Sequence, residues 1–170
     1  MPWGNVIAGF VAVLALVALA ISPLLGIRTI RAIGHHEEAV ADAAAKHPDQ
    51  VVRDGELDFV VHSTQCGSPA LSGERPDNGS FCVIDVTMHN DGTNPVTLDP
   101  NVQLATGSHG AVYPSDGPVE QVVNRGNPAV IPGGSWDEKL VYDVPAGIQL
   151  VSVELHGSTY SRGVAVRLQL

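Results

Sequence analysis

Seven histidines and two cysteines are the side chains of this 170-residue sequence best suited to metal or nucleophilic chemistry. Their spacing limits what they can do together. A helical zinc pair needs histidines at i and i+4, but four positions beyond His35 and His36 stand Ala39 and Val40. His36-Glu37 opens an HExxH pattern that has no second histidine, so this pair reads as a solvated helix face. His62, His89 and His156 fall on the outward parity of strand-like segments, and His109 sits in a Ser-His-Gly turn. Four imidazoles would suffice for zinc or copper, yet none is closely paired in sequence. Turn residues such as His89-Asn90-Asp91-Gly92 have calcium-ligand chemistry, but turn formation alone accounts for them. Gly134-Ser135-Trp136 lacks the flanking pattern of a nucleophile elbow and reads as a turn entering a strand. Phosphate loops and dinucleotide fingerprints are absent from the sequence. Cys66 and Cys82 allow one intramolecular pairing, and an oxidised pair is no nucleophile. The expectation is therefore a Cys66–Cys82 disulfide, with no catalytic, cofactor-binding or metal residues and no enzymatic activity.

The elements that would position these residues read as strands. In GSFCVIDVTMHN, Cys82, Ile84, Val86 and Met88 share one apolar face, while Phe81, Val83, Asp85, Thr87 and His89 share the other. Asn90, Asp91 and Gly92 then turn the chain. Upstream, Asp54-Gly55 opens a strand with Leu57, Phe59 and Val61 inward. Between the cysteines lies a Gly/Ser/Pro-rich loop with an Asp77-Asn78-Gly79 turn signal, which reads as flexible. Val102 and Leu104 begin a further strand, and Ser108-His109-Gly110 forms a hairpin turn. Residues 114–127 lose regularity and read as a long surface connection containing one helical turn. After Pro132-Gly133-Gly134, Trp136, Leu140 and Tyr142 point inward. Glu138 falls on the same parity, which implies an exposed strand start or a bulge. Val151, Val153 and Leu155 mark the next inward face, and residues 163–168 close the domain. Seven or eight short strands between turns predict an all-β antiparallel sandwich.

The strings DGELDFVVHSTQCG, GSFCVIDVTMHNDGTNPVTLDP, NPAVIPGGSW, LVYDVPAG and GVAVRLQL, in this order and spacing, resemble the family catalogued as domain of unknown function 4352. The resemblance spans residues 53–170. It implies an immunoglobulin-like sandwich similar to that of a secreted mycobacterial antigen, and an extracytoplasmic, envelope address. It implies no activity. Residues 114–127 depart from the more helical, acidic insert that similar family members carry there.

Ahead of the sandwich, residues 1–27 carry no charge and residues 6–25 are almost wholly apolar. Some 20 residues at about 1.5 Å each match a hydrocarbon core of about 30 Å. The expected layout is a transmembrane anchor or uncleaved signal over 1–26, a juxtamembrane helical stalk over 27–52 and the sandwich over 53–170. Arg28 and Arg31 follow the span and favour a cytoplasmic domain by the positive-inside rule. The cysteine pair favours the opposite side, since disulfides persist in oxidising compartments, and so does the family resemblance. The expected topology is a single-pass membrane protein with its C-terminal domain outside the cytoplasm. From Asp54 onward 14 acidic residues face 5 basic ones, which accounts for the whole net charge of −9. Such a surface repels phosphate backbones and excludes nucleic acid as a partner. What remains is a binding module for an envelope protein or surface ligand, with a small-ligand or metal carrier as the alternative.

Overall fold

A computed structural model describes residues 46–169. The expected membrane helix, and the juxtamembrane helix as far as residue 45, lie outside the described residues. No helix among the described residues is long and apolar enough to cross a membrane.

Eight strands form: β1 (Val51–Asp54), β2 (Leu57–Ser68), β3 (Gly79–Asn90), β4 (Leu104–Gly107), β5 (Val112–Pro114), β6 (Ser135–Pro145), β7 (Leu150–Leu155) and β8 (Val164–Arg167). They pair antiparallel into two four-stranded sheets, ordered β1-β2-β3-β6 and β5-β4-β7-β8. Each sheet turns its apolar face inward, and the two faces make one core that includes Phe59, Ile84, Leu140, Leu150 and Leu155. Leu57, Phe59 and Val61 of β2 and Cys82, Ile84, Val86 and Met88 of β3 are all buried in it. That is the outcome that unbroken period-two alternation demands. The turn at Ser108-His109-Gly110 also forms, with Gly107 N–H donating to the Ala111 carbonyl at 2.8 Å between β4 and β5.

Several readings are corrected. Asp54-Gly55 does not open the first strand; β1 starts at Val51, and Gly55 occupies the β1–β2 turn at φ +63. Val102 belongs to a 3-10 turn at Pro100–Val102, so the strand starts two residues later. In β7 the pairing skips Val151, because Thr106 faces Ser152 while Gly107 faces Leu150. The irregularity reverses parity, and Leu150 takes the buried place expected for Val151. The loop after Cys66 is shorter and better held than its composition suggests, since β2 continues to Ser68 and β3 starts at Gly79. Leu71 and Glu74 bridge within it, and the Asp143 carboxylate accepts the backbone N–H of Asp77 at 2.7 Å.

Residues 114–127 carry the helical turn expected of them, but they are packed down rather than a loose surface connection. They hold a helix, α1 (Gly117–Val123), whose N-terminus is capped by the Asp116 carboxylate accepting from Val119 N–H at 3.2 Å. Val119 and Val123 pack over Phe81 and Val141 on the outer face of the first sheet. This explains why Phe81 and Val141 are fully buried although their parity is outward. The same segment seals the free edge of β6. Asp116 N–H donates to the Val141 carbonyl at 2.7 Å, and the Glu120 carboxylate accepts from Val141 N–H at 2.8 Å. An edge strand with open backbone groups is a template for association, and here both backbone groups of Val141 are occupied by α1 and its flank.

Candidate functional site

Cys66 and Cys82 face each other directly in the β2–β3 register and are joined by a disulfide. Cys82 is buried in the core and Cys66 is packed against it. The bond is therefore a clamp between the two longest strands rather than a reactive thiol pair.

The four domain histidines stay apart. His62 lies on the outer face of the first sheet and bonds Thr87, His89 bonds Ser135 at 3.0 Å, and His156 bonds Glu154 at 2.9 Å. His109 is exposed at the β4–β5 turn. Among the described residues no three His, Cys, Asp or Glu side chains are placed to hold a metal ion together.

The outer face of β2, β3 and β6 does carry a cleft, of about 270 Å³, beside the C-terminal end of α1. Its polar walls include His62, Asp85, Thr87, Asn124, Asp137 and Lys139, and Val86 and Glu138 of the same strands also border it. Two polar chains cross it. In the first, Thr87 Oγ1 donates to Asp137 at 2.6 Å, so the contact of Thr87 with His62 Nε2 at 2.8 Å must have the imidazole as donor. His62 Nδ1 lies 3.5 Å from Asp49. In the second, Asp85 accepts from Ser63 at 2.5 Å and pairs with Lys139. Partial burial pushes the Asp85 carboxyl up, but the bonds from Lys139 and Ser63 outweigh it and hold the group below its ordinary range.

The Asp49–His62–Thr87 sequence has the order of a nucleophile with its base and orienting acid. Its chemistry is blocked twice. The Thr87 proton is already given to Asp137, and Thr87 sits mid-strand, paired with Val60 on one side and Asp137 on the other. Its backbone neighbourhood offers the ladder rather than a free donor pair for a developing oxyanion. The arrangement suits reversible polar binding. Sequence reasoning missed it because Thr87 lies 25 residues from His62 and 50 from Asp137, and only the strand register unites them.

Glu138 also departs from both alternatives its parity suggested. The β3–β6 pairing runs without interruption, Val86 opposite Glu138 and Ile84 opposite Leu140, so neither a bulge nor an exposed start relieves it. Glu138 points into the sandwich and is buried, as is Glu120 of α1. Burial pushes both carboxyls up to about 7, with the charge of Glu138 adding to the rise at Glu120.

Two antiparallel four-stranded sheets, clamped by one disulfide and bearing a polar outer cleft, define a β-sandwich without a recognisable catalytic centre among the described residues. The chain belongs to the DUF4352 family, a domain of unknown function, which it matches over residues 47–166. No curated protein matches it. Among solved structures it is similar to the yjhA protein from Bacillus subtilis, with a TM-score of 0.54 at 12% identity, covering 73% of this chain and 99% of that one. An uncharacterised β-sandwich protein from Clostridium difficile 630 aligns with a TM-score of 0.45 at 9% identity, over 72% of this chain and 91% of that one. The first likeness shows the fold alone.

Proposed function

We propose that this chain is a membrane-anchored, extracytoplasmic binding module of the cell envelope, immunoglobulin-like in kind and without catalytic activity of its own. The observation that carries the reading is the Cys66–Cys82 disulfide, set across the core-facing side of β2 and β3. A bond of this kind persists in oxidising compartments and is rare in the cytosol. The uncharged, apolar residues 1–27 supply a segment long enough for an anchor.

Contact with the partner falls on the outer cleft around His62, Thr87 and Asp137. Residues 114–127 are spent on covering the sheet, which removes them as a free contact loop. The cleft carries the carboxylates of Asp85 and Asp137 with one hydroxyl, an amide, an imidazole and a lysine, and the domain is acidic overall, so a polar partner bearing amines or hydroxyls fits it better than an anionic one.

Two measurements test this. A reporter active only in the cytoplasm, fused after Leu170, should be silent, and protease added to intact cells should reach the domain. An active reporter with a protected domain would overturn the address. In-cell crosslinking should then yield adducts that Thr87→Val and His62→Ala each reduce at least several-fold. Crosslinks that survive both substitutions would overturn the cleft as the contact surface.

A further inference from the structure

Two carboxylates on the outer face of the first sheet are held alike. Asp85 accepts the Ser63 hydroxyl at 2.5 Å, and Asp137 accepts the Thr87 hydroxyl at 2.6 Å. Each hydroxyl comes from the neighbouring strand, and both carboxylates border the same cleft of about 270 Å³. The arrangement depends on a β-bulge. Val61 faces Val86 and Ser63 faces Asp85, which leaves His62 as the extra residue of β2. His62 and Ser63 are consequently both exposed, and they reach Thr87 and Asp85 respectively. The likeness ends at the cation. Asp85 also takes the Lys139 ammonium, whereas among the described residues Asp137 takes the Thr87 hydroxyl and no basic side chain.

We propose that the Thr87–Asp137 pair is a site for one primary ammonium group, supplied by a lysine side chain of the partner, a reading that rests on the cleft being the contact surface. The Ser63–Asp85–Lys139 set is the same arrangement already filled from within the chain. Pairing of Asp85 with Lys139 leaves Asp137 as the exposed carboxylate of the cleft without a cationic partner, in a domain whose acidic residues outnumber its basic ones. A cation is drawn there and an anion is repelled. Arginine fits less well than lysine. Its guanidinium seeks both oxygens of a carboxylate, as Arg53 does with Asp58 Oδ1 and Oδ2 at 2.6 and 2.7 Å, and Asp137 Oδ1 is engaged by Thr87. An ammonium is a compact charge that needs one oxygen. The cleft is smaller than the pockets of about 300–1,000 Å³ that enclose drug-sized ligands, which suits the end of one side chain rather than a whole small molecule.

The test is titration of the full chain, in an uncharged detergent at neutral pH, with Nα-acetyl-lysine methylamide, followed by amide chemical shifts. Thr87 and Asp137 should shift and saturate, and added salt should weaken the binding. Acetylation of the probe's side-chain amine should abolish the shifts. Asp137→Asn, which keeps the shape and removes the charge, should weaken binding roughly tenfold, while Lys139→Gln, which removes a neighbouring like charge, should tighten it. No shift at Thr87 and Asp137, or equal affinity in Asp137→Asn, would overturn the ammonium site. In cells, a carbodiimide should join the Asp137 carboxylate to a lysine of another protein. Absence of that link while the probe still binds would overturn the partner lysine in favour of a free amine. Glucose separates failure of the ammonium site from failure of the cleft. If glucose shifts these amides and the lysine probe does not, the cleft remains a contact surface that selects hydroxyls. Silence from both probes, together with crosslinks that survive Thr87→Val and His62→Ala, would overturn the cleft as well.

Discussion

Asn124 holds Lys139 by both of its backbone groups: its Oδ1 accepts from Lys139 N–H at 2.9 Å and its Nδ2 donates to the Lys139 carbonyl at 3.0 Å. A side-chain amide here imitates a neighbouring strand. Together with the two bonds to Val141, it leaves the edge of β6 occupied where a second chain would otherwise add.

Asn124→Ala should therefore act in two ways. Loss of both bonds should lower stability by about 1–2 kcal/mol, read as a shift of the denaturation midpoint at unchanged slope. The reopened edge should promote self-association, visible as a mass that rises with concentration in light scattering. Asn124→Asp keeps the acceptor but not the donor and should show a smaller loss. An Asn124→Ala chain as stable and as monomeric as the original would refute the edge-sealing role.

How far this was legible from residues alone depends on what covers each face. The inward sets of β2 and β3 follow from alternation, because the register shifts of β2 fall beyond Val61 and nothing in β3 interrupts the period from Cys82 to Met88. Phe81 and Val141 have the outward parity that alternation assigns, yet they are buried, and only α1 accounts for it. That helix spans seven residues and carries Gly117 and Pro118 in its first turn, too little for a 3.6-residue period to emerge. Glu138 shows the opposite failure. Its parity was plain, and its charge argued against accepting it, because an unpaired buried carboxylate is costly. The cleft was invisible since its members come from three strands and the end of α1.

The pH dependence of stability follows from those carboxyls. Glu120 and Glu138 are raised from 4.5 to about 7, so the folded chain holds protons that the unfolded chain releases. The stabilisation is complete below about pH 4.5, declines as pH rises and is gone above about 7. One such group is worth on the order of 3 kcal/mol across that window. Asp58, Asp85 and Asp99 act in the other direction. Their carboxyls are held low, Asp58 chiefly by the hydrogen bond from Arg53 and Asp99 by that from Asn101, and their contribution is lost as pH falls below about 3.8. The domain should thus melt at higher temperature at pH 5 than at pH 8. Glu138→Gln should flatten that difference and raise Tm at pH 8. A Tm that increases from pH 5 to 8 would contradict the assignment.

Asn90 closes β3 with no exposed surface, and its side chain is fully used. Its Nδ2 donates to the carbonyls of Asn94 at 2.7 Å and Val130 at 2.8 Å, and its Oδ1 accepts from Gly92 N–H at 2.9 Å. It ties the loop after β3 to the segment before β6. Asn90→Asp exchanges two donors for an oxygen facing two carbonyls, so it should cost about 3 kcal/mol or more, and Asn90→Ala less. Hydrogen exchange should locate the loss at Val96 and Val130, whose N–H groups bond each other's carbonyls. Protection unchanged at both in Asn90→Asp would show that the side chain does not organise this loop.

The disulfide supplies the last prediction. Cys66 and Cys82 are 16 positions apart and directly opposed, so the bond closes the loop at the far end of β2 from the β1 turn. Loop-closure entropy for a chain of that length assigns it about 3 kcal/mol, acting on the unfolded state. The folded β2–β3 pairing remains available without it, since Ile84, Val86 and Met88 continue the buried face beyond the cysteines. Cys66→Ala with Cys82→Ala should therefore fold to the same sandwich, with a lower denaturation midpoint and a faster unfolding rate. Reduction of the original chain should produce the same loss, while the double variant should be indifferent to reductant. Mass mapping of unreduced protein from its own host checks the premise, by a linked peptide pair containing both residues. Alkylatable thiols at both positions there would remove the disulfide and, with it, the main support for an extracytoplasmic address.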